Sequence, residues 1–228
     1  MTRFLAFLLL AAAAAVPVQA AQRNFTVTSF DRIRMEAPFD VSLTTGKPPS
    51  AKADGPTAAL DTIDLQVEGR TLIVRQKSGW NGQGKGVPVR ITLSTPDLRT
   101  ATLLGSGRLV IDRMKGLSVS LAMASSGQLK VGDLRADNLD ILAGGSGVVS
   151  LAGAVKKSRL NTEGAVILDA ASLVSDELVL IATGNSEVRA APRRTAKLDL
   201  SGVTTVALAT PVACVVKVTG AATVTGCR

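Results

Sequence analysis

The sequence contains no histidine and no tyrosine, and its 228 residues include only 5 Phe and 1 Trp. The absence of histidine excludes imidazole-based catalytic triads and most catalytic zinc sites. No aromatic residue follows Trp80, so most of the chain lacks the side chains on which proteins stack nucleic acid bases. We therefore expect no nucleic acid partner, no metal site and no cofactor.

The first 20 residues have the composition of an export signal. Arg3 supplies a positive charge, Phe4 to Val16 are apolar, and Pro17 precedes the small-residue exit that ends at Ala20. The apolar stretch is shorter than the roughly 20 residues of a membrane-spanning helix. We therefore predict a signal peptide over residues 1–20, cleaved after Ala20, and a mature chain in the periplasm, at the cell surface or outside the cell, with no transmembrane segment after cleavage.

The chain is basic, with a formal net charge of +8, of which the leader contributes one unit through Arg3. In an exported protein the available polyanions are anionic envelope glycans and membrane headgroups, so these, or a protein partner, are the expected partners. Basic residues are also common at solvated turn positions. The densest basic stretch is therefore consistent both with a binding patch and with solvated turns. The candidate binding residues in this stretch are Lys156, Lys157, Arg159, Arg193 and Arg194, followed by Lys197.

Small residues recur about every 19 residues in the second half of the chain, and an aliphatic residue stands two positions after each of them. The small residues are Gly107, Gly127, Gly147, Gly164, Ser186, Thr204 and Ala222. The aliphatic residues are Leu109, Leu129, Val149, Val166, Val188, Val206 and Val224. The positions four and six residues before each small residue are also small or apolar, and Ser158 is the one exception.

A spacing of two residues within each repeat indicates β-strands, because alternate side chains of a strand point to one face. A unit of about 19 residues cannot bury its own apolar face, so neighbouring repeats must stack on it. The pattern predicts an all-β fold, a right-handed parallel β-solenoid (β-helix-like), with like aliphatic residues in columns and glycines at the corners. We expect Leu109, Leu129 and Val149 to share one column.

The first half of the chain is β-rich but less regular, and no linker divides it from the second half, so we predict one domain over residues 21–228. Gly69 marks a hairpin turn within residues 66–72. Residues 45–57 and 78–88 are predicted to be loops, since they are rich in Gly, Pro and Lys. The predicted strands are Phe25 to Arg34, Phe39 to Thr45, Leu65 to Val67, Leu72 to Gln76 and Val87 to Ser94.

Several segments resemble the head-GIN-domain family of exported bacterial proteins, which are described as putative autotransporter adhesins. They are Phe30-Asp31-Arg32-Ile33, Phe39-Asp40-Val41 with Leu43-Thr44-Thr45-Gly46, and Ser94-Thr95-Pro96-Asp97-Leu98 leading into Leu104-Gly105-Ser106-Gly107. The resemblance extends from about Phe25 to the C-terminus. It implies a parallel β-helix-like fold and an envelope or surface location.

Two features of the sequence are weak signals of a chemical site. Residues 79–86 have the spacing of a phosphate-binding loop, but Gly86 replaces the Ser or Thr that would hold magnesium, so a loop is the better interpretation. Turn acids could hold a cation or act as a catalytic pair, as on β-helix polysaccharide lyases and hydrolases. Asp112 and Asp169 share a repeat position but lie three coils apart. The clustered acids are Asp133, Asp137 and Asp140, together with Asp176 and Glu177.

The two cysteines, Cys214 and Cys227, lie close together in the last repeat. In an oxidising compartment such an even pair indicates a disulfide, which would fix the end of the stack. We therefore expect an exported, non-enzymatic envelope or surface module with an adhesin-like binding or structural role and an unidentified ligand. A glycan-active enzyme, a polysaccharide lyase or hydrolase on a β-helix scaffold, is the alternative.

Overall fold

A computed structural model of the chain describes residues 21–77 and 89–228, most of which form β-strands. The second half winds into a β-solenoid of about six turns, so the predicted all-β solenoid with a less regular N-terminal part is confirmed. The predicted signal peptide and the segment that resembles a phosphate-binding loop lie outside the described residues. No helix within the described ranges is long and apolar enough to cross a membrane.

The strands and the one short helix follow each other along the described chain with few connecting residues. In chain order they are β1 (Ala21–Phe25), β2 (Arg32–Met35), β3 (Asp40–Thr45), β4 (Ser50–Gly55), α1 (Thr57–Leu60), β5 (Ile63–Glu68), β6 (Thr71–Gln76), β7 (Arg90–Thr95), β8 (Thr100–Leu103), β9 (Arg108–Ser125), β10 (Gln128–Gly145), β11 (Val148–Gly164), β12 (Ile167–Gly184), β13 (Glu187–Gly202), β14 (Thr205–Gly220) and β15 (Thr223–Cys227).

The solenoid core consists of columns of aliphatic side chains. Leu109, Leu129 and Val149 pair in register on β9, β10 and β11, and each is 1% exposed or less. Each such residue lies on the inward side of its strand and packs against the equivalent residue of the next coil, which is how short repeats together bury one core. The predicted column is therefore confirmed.

The repeat register predicted for the fourth coil is wrong by two residues. Val149 pairs with Leu168 rather than with Val166, so Val166, and not Gly164, occupies the small-residue position of this coil. Glycine occurs at either of two positions at this corner, at both of them in Gly145 and Gly147 but at only the first in Gly164, and the prediction confused the two positions. With the register corrected, Leu160 fills the position assigned to Ser158, and Asp112 and Asp169 do not share a position.

One corner of the solenoid is a column of glycines with positive φ. Gly184 has φ +103°, and a Cβ on it would lie 2.8 Å from the carbonyl oxygen of Gly164 in the coil above. Only glycine combines this backbone conformation with so close an approach. The column consists of Gly145, Gly164, Gly184, Gly202 and Gly220.

The coils of the N-terminal part do not stack in chain order. β2 lies between β6 and β8, and β3 lies between β7 and β9. The coil formed by β2 and β3 is therefore inserted between the coil of β6 and β7 and the regular stack. This places β6 and β7 at the N-terminal end of the stack although they follow β2 and β3 in the sequence.

Antiparallel strands cover the N-terminal end of the stack. β4 pairs antiparallel with β7, β1 with β4, and β5 with β6 through the predicted hairpin. The prediction of a loop over residues 45–57 is thus wrong for β4, where Ala51 and Ala53 alternate with polar residues and face the core. Leu60 of α1, 1% exposed, closes the same end.

The C-terminal end of the stack is formed by β14 and β15. A disulfide joins Cys214 of β14 to Cys227 of β15, as predicted. β15 pairs with β14 only at residues 205–207 and at Val212. The edge of β14 after Val212 consequently has no further strand beside it among the described residues.

Candidate ligand-binding groove

An open groove runs across several coils where the strands turn from one face of the solenoid to the next. Its volume is about 780 Å³, which is within the usual range for small-molecule sites. We call it the corner groove. It is lined by Gly116, Asp133, Arg135, Ala136, Asp137, Gly153, Ala154, Val155, Lys156, Val174, Asp176 and Arg193.

Small residues form the floor of the corner groove. Gly116, Ala136 and Ala154 present little side chain to it, and Gly153 has φ +131° with its Cα close against the backbone of Leu134. A side chain on Gly153 would collide with that backbone. The floor is therefore low, and the charged side chains at the rim project above it.

The rim of the corner groove carries carboxylates and cationic groups that mostly neutralise each other. The Nε atoms of Arg135 and Arg113 donate to the two carboxylate oxygens of Asp133 at 3.1 and 3.3 Å. Lys156 Nζ lies 2.8 Å from Asp137 Oδ1. These pairs are partly exposed to solvent, so each contributes at most about 1 kcal/mol to stability.

Two charged residues of the rim differ from the rest. Arg193 and Asp176 have no ion-pair partner within 4.0 Å among residues 21–77 and 89–228. Arg193 lies in the part of β13 where the ladder with β12 is interrupted, and its side chain is exposed. Its guanidinium is thus available for a ligand without breaking an existing ion pair.

The carboxyl group of Asp133 at the rim of the groove has a lowered pKa. The hydrogen bond from Arg135 lowers the pKa of Asp133, and partial burial opposes this, while the positive charges of Arg135 and Arg113 lower it further. Asp133 is therefore ionised at neutral pH. A general acid in glycoside cleavage needs the opposite shift, because it must hold a proton until the bond breaks.

The predicted basic candidates do not form one patch. Lys156 and Arg193 line the corner groove, while Lys157 and Arg159 line a smaller groove of about 400 Å³. Arg194 follows Arg193 on β13 and is exposed. The structure thus divides the candidates between two surfaces, and their role in binding stays a prediction.

Most of these bases pair with acids of a neighbouring coil, which the sequence interpretation missed. Lys157 lies 3.4 Å from Glu177, and Arg159 lies 3.4 Å from Asp140. These acids stand about one repeat length before or after their bases, as Asp137 does for Lys156. Opposite charges separated by the repeat period were the signal that could have revealed this pairing.

The acid cluster considered as a cation site is not assembled. Asp133, Asp137 and Asp140 each contact a different cationic residue. Within the part of the chain that the structure describes, no group of three His, Cys, Asp or Glu residues is placed to hold a metal ion. The carboxylates therefore serve the ladder of ion pairs between coils.

The family described as "Putative auto-transporter adhesin, head GIN domain" matches residues 29–209. The chain belongs to this family. Its head GIN domain thus covers most of the chain, and the resemblance noted in the sequence is confirmed. The description is that of an adhesin and names no catalytic activity, which agrees with an exported or surface protein. No curated protein matches the chain.

Solved structures of other proteins share this fold. A "putative adhesin" from Bacteroides fragilis has a TM-score of 0.82 and 18% identity, covering 90% of this chain and 96% of its own. A "putative adhesin" from Parabacteroides merdae has a TM-score of 0.68 and 16% identity, with coverages of 91% and 96%. A "Putative lipid binding protein" from Parabacteroides distasonis has a TM-score of 0.65 and 18% identity, with coverages of 92% and 96%. At these identities the likeness shows the fold of the head GIN domain.

Proposed function

We propose that the chain is an exported, non-enzymatic envelope or surface module that binds an acidic glycan in the corner groove. The adhesin description of the family supports a binding role, and the net positive charge supports an anionic ligand. The proposal adds to these the position of the ligand and its chemistry.

The observation that carries the proposal is the guanidinium of Arg193 at the rim of the groove, which has no ion-pair partner within 4.0 Å in the part of the chain that the structure describes. A guanidinium presents a planar fork of donors that matches the two oxygens of a carboxylate or sulfate group. The remaining cations of the rim are held in place by their own carboxylates. A sugar acid can therefore bind Arg193 while its hydroxyl groups reach the backbone of the floor and the polar side chains of the rim.

Further positive charge surrounds the groove. Lys115 lies next to Arg135 in the ladder between β9 and β10, and Arg194 follows Arg193 on β13. These cations raise the local concentration of an approaching polyanion even where they do not contact it. We expect binding to weaken with salt, because charges at the surface are screened.

The chemistry of the acids favours binding over cleavage. Paired carboxylates in glycosidases include one group whose pKa is raised so that it can donate a proton. The pKa of Asp133 is shifted in the opposite direction by its arginines. The groove thus provides charge and hydrogen bonding, which serve to hold a polymer.

Calorimetric titration with polygalacturonate tests the proposal, with neutral dextran as the comparison polymer. We expect polygalacturonate alone to bind, with an affinity that falls steeply as salt increases. Arg193→Ala should weaken binding about tenfold, since it removes a charge-assisted contact. Lys130→Ala is the matched control, because Lys130 is exposed on another face and also has no ion-pair partner within 4.0 Å among residues 21–77 and 89–228.

Three results would contradict the proposal. Equal binding by the Arg193→Ala variant and the wild type would move the ligand away from the corner groove. Failure of polygalacturonate and purified lipopolysaccharide to bind at low salt would favour a purely structural role. Calcium-dependent release of unsaturated sugars from polygalacturonate would instead establish a glycan-active enzyme.

A further inference from the structure

The side chains that line the corner groove carry both signs of charge in equal number. Two pairs neutralise each other within the groove, since Arg135 donates to Asp133 and Lys156 lies 2.8 Å from Asp137. One carboxylate and one guanidinium then remain, and in the described ranges neither has an ion-pair partner within 4.0 Å. The charged lining residues are Asp133, Asp137, Asp176, Arg135, Lys156 and Arg193.

A shift in the register between β12 and β13 keeps the two remaining charges from pairing. Between Ser175 and Glu177 the strand β12 has one residue, Asp176, where β13 has two, Arg193 and Arg194. An extra residue of this kind bends its strand and redirects its side chain. The carboxylate of Asp176 and the guanidinium of Arg193 therefore line the same groove without contacting each other.

Where the ladder between coils is regular, opposite charges in one column do pair. Lys157 lies directly beside Glu177 in the ladder, and their charged groups are 3.4 Å apart. Lys217 lies beside Asp199, and their charged groups are 3.8 Å apart. The unpaired charges of the corner groove are thus a local result of the irregular register.

The column that contains Asp176 has a carboxylate in excess. Lys156 stands between Asp137 and Asp176 in this column, and its Nζ atom contacts Asp137. One ammonium group therefore serves two carboxylates. Asp176 is half-buried and accepts no charged donor in the described part of the chain. An ammonium group with its three N–H donors satisfies such a carboxylate.

We propose that the acidic glycan of the corner groove also carries free amino groups. A uronic acid carboxylate binds Arg193, and the ammonium group of an amino sugar in the same polymer binds Asp176. The inference rests on the proposed function, because it uses the same groove and the same arginine. The low floor of Gly116, Ala136 and Ala154 leaves room for sugar rings.

The preference for a ligand with both charges is opposite to the preference of the protein as a whole. The chain has a formal net charge of +8 at pH 7. Free amino groups add positive charge to an acidic glycan, so they weaken its general attraction to a basic protein. Tighter binding of the glycan with free amino groups therefore requires a carboxylate at the site.

Calorimetric titration with heparosan and with N-deacetylated heparosan tests the inference. Both polymers alternate glucuronic acid with glucosamine, and the amino groups of the second are free and protonated in a mildly acidic buffer. We expect the wild type to bind the N-deacetylated polymer about tenfold more tightly. Asp176→Asn should abolish this preference, because it removes the carboxylate and keeps the size of the side chain. Asp176→Lys should reverse the preference.

Glu163→Gln is the matched control for these variants. Glu163 is exposed, does not line the corner groove and has no ion-pair partner within 4.0 Å among the residues that the structure describes. The Glu163→Gln variant should keep the preference of the wild type. Thermal unfolding of each variant verifies that it is folded.

The titrations separate failure of this inference from failure of the proposed function. If Arg193→Ala weakens the binding of both polymers but the wild type binds them equally, the requirement for amino groups is overturned and the acidic glycan site stands. If Arg193→Ala leaves the binding of both polymers unchanged, the inference and the proposed function are overturned together. A preference that persists in Asp176→Asn would overturn the role of Asp176. Tighter binding of an alternating glutamate–lysine peptide than of N-deacetylated heparosan would overturn the glycan as the ligand.

Discussion

The two ends of the solenoid differ in how the apolar core of the terminal coil is covered. At the N-terminal end Val74 of β6 lies at the last inward position of its column and is 0% exposed, because β4, β5 and α1 lie around it. At the C-terminal end Val218 of β14 occupies the same column and is 45% exposed. Strands and a helix of the chain close the N-terminal end, whereas no described element covers Val218 at the other end.

The difference shows where a stacked fold is vulnerable. Each coil contacts only its neighbours, so the stability of the stack is close to a sum of coil terms and interface terms. A terminal coil has one interface instead of two and must be covered or fixed. The N-terminal coil is covered by apolar contact, whereas the C-terminal coil is fixed by the disulfide between Cys214 and Cys227 and still exposes apolar surface.

The largest expected effect is a loss of stability from a glycine substitution, which should be greater in the interior of the stack than at its open end. Gly184→Ala introduces a Cβ at φ +103°, within 2.8 Å of the carbonyl oxygen of Gly164, and the coils above and below prevent relaxation. We expect a loss of about 4 kcal/mol in the free energy of unfolding. Gly220→Ala makes a similar contact with Gly202, but no coil lies beyond it among the described residues. It should cost about half as much.

Urea denaturation of the two variants measures this comparison. A loss for Gly220→Ala as large as that for Gly184→Ala would mean that the open end is as rigid as the interior. It would also argue that something beyond the described strands holds the last coil in place.

The regular half of the fold could be predicted from the sequence because every coil must bury aliphatic residues at the same positions. Leu109, Leu129 and Val149 must lie over one another if short strands are to bury them. The period alone did not distinguish the two kinds of corner glycine, and this produced the two-residue error at Gly164. The pairing of each column depends on the backbone conformation at the corner, which glycine spacing does not encode.

The N-terminal half could be predicted only as separate strands. Insertion of β2 and β3 between later coils is a long-range event, and no local pattern specifies it. The covering strand β4 was interpreted as a loop, since Gly, Pro and Lys surround it. Its two inward positions are Ala51 and Ala53, and two alanines give a weak strand signal.

The sequence singled out some of the charged residues that line the corner groove, but not their arrangement. Lys156 and Arg193 were identified as basic residues, and Asp137 as an acid, without the contact that joins Lys156 to Asp137. Contacts between coils follow from the register, so they become visible only when the period is exact. The groove is also lined by small residues, Gly116, Ala136, Gly153 and Ala154, and no charge pattern identifies them.

Removing the disulfide should be the next largest effect, and it should act on the open end alone. In the Cys214→Ser, Cys227→Ser double variant the unfolded chain is no longer closed into a loop by a bond between residues 13 positions apart. We expect the free energy of unfolding to fall by up to about 3 kcal/mol. Amide exchange should accelerate in β15 and the end of β14, while β5 and β6 keep the exchange of the wild type. Faster exchange at both ends would contradict the near-independence of distant coils.

The smallest expected effect is the loss of stability from truncating a valine at either end of one column. Val74→Ala removes two buried methyl groups beneath the N-terminal cover and should cost about 2 kcal/mol in urea denaturation. Val218→Ala removes the same atoms from a side chain that is already 45% exposed, so it should cost less than about 1 kcal/mol in dilute solution. Equal costs at both positions would contradict the difference in cover between the two ends.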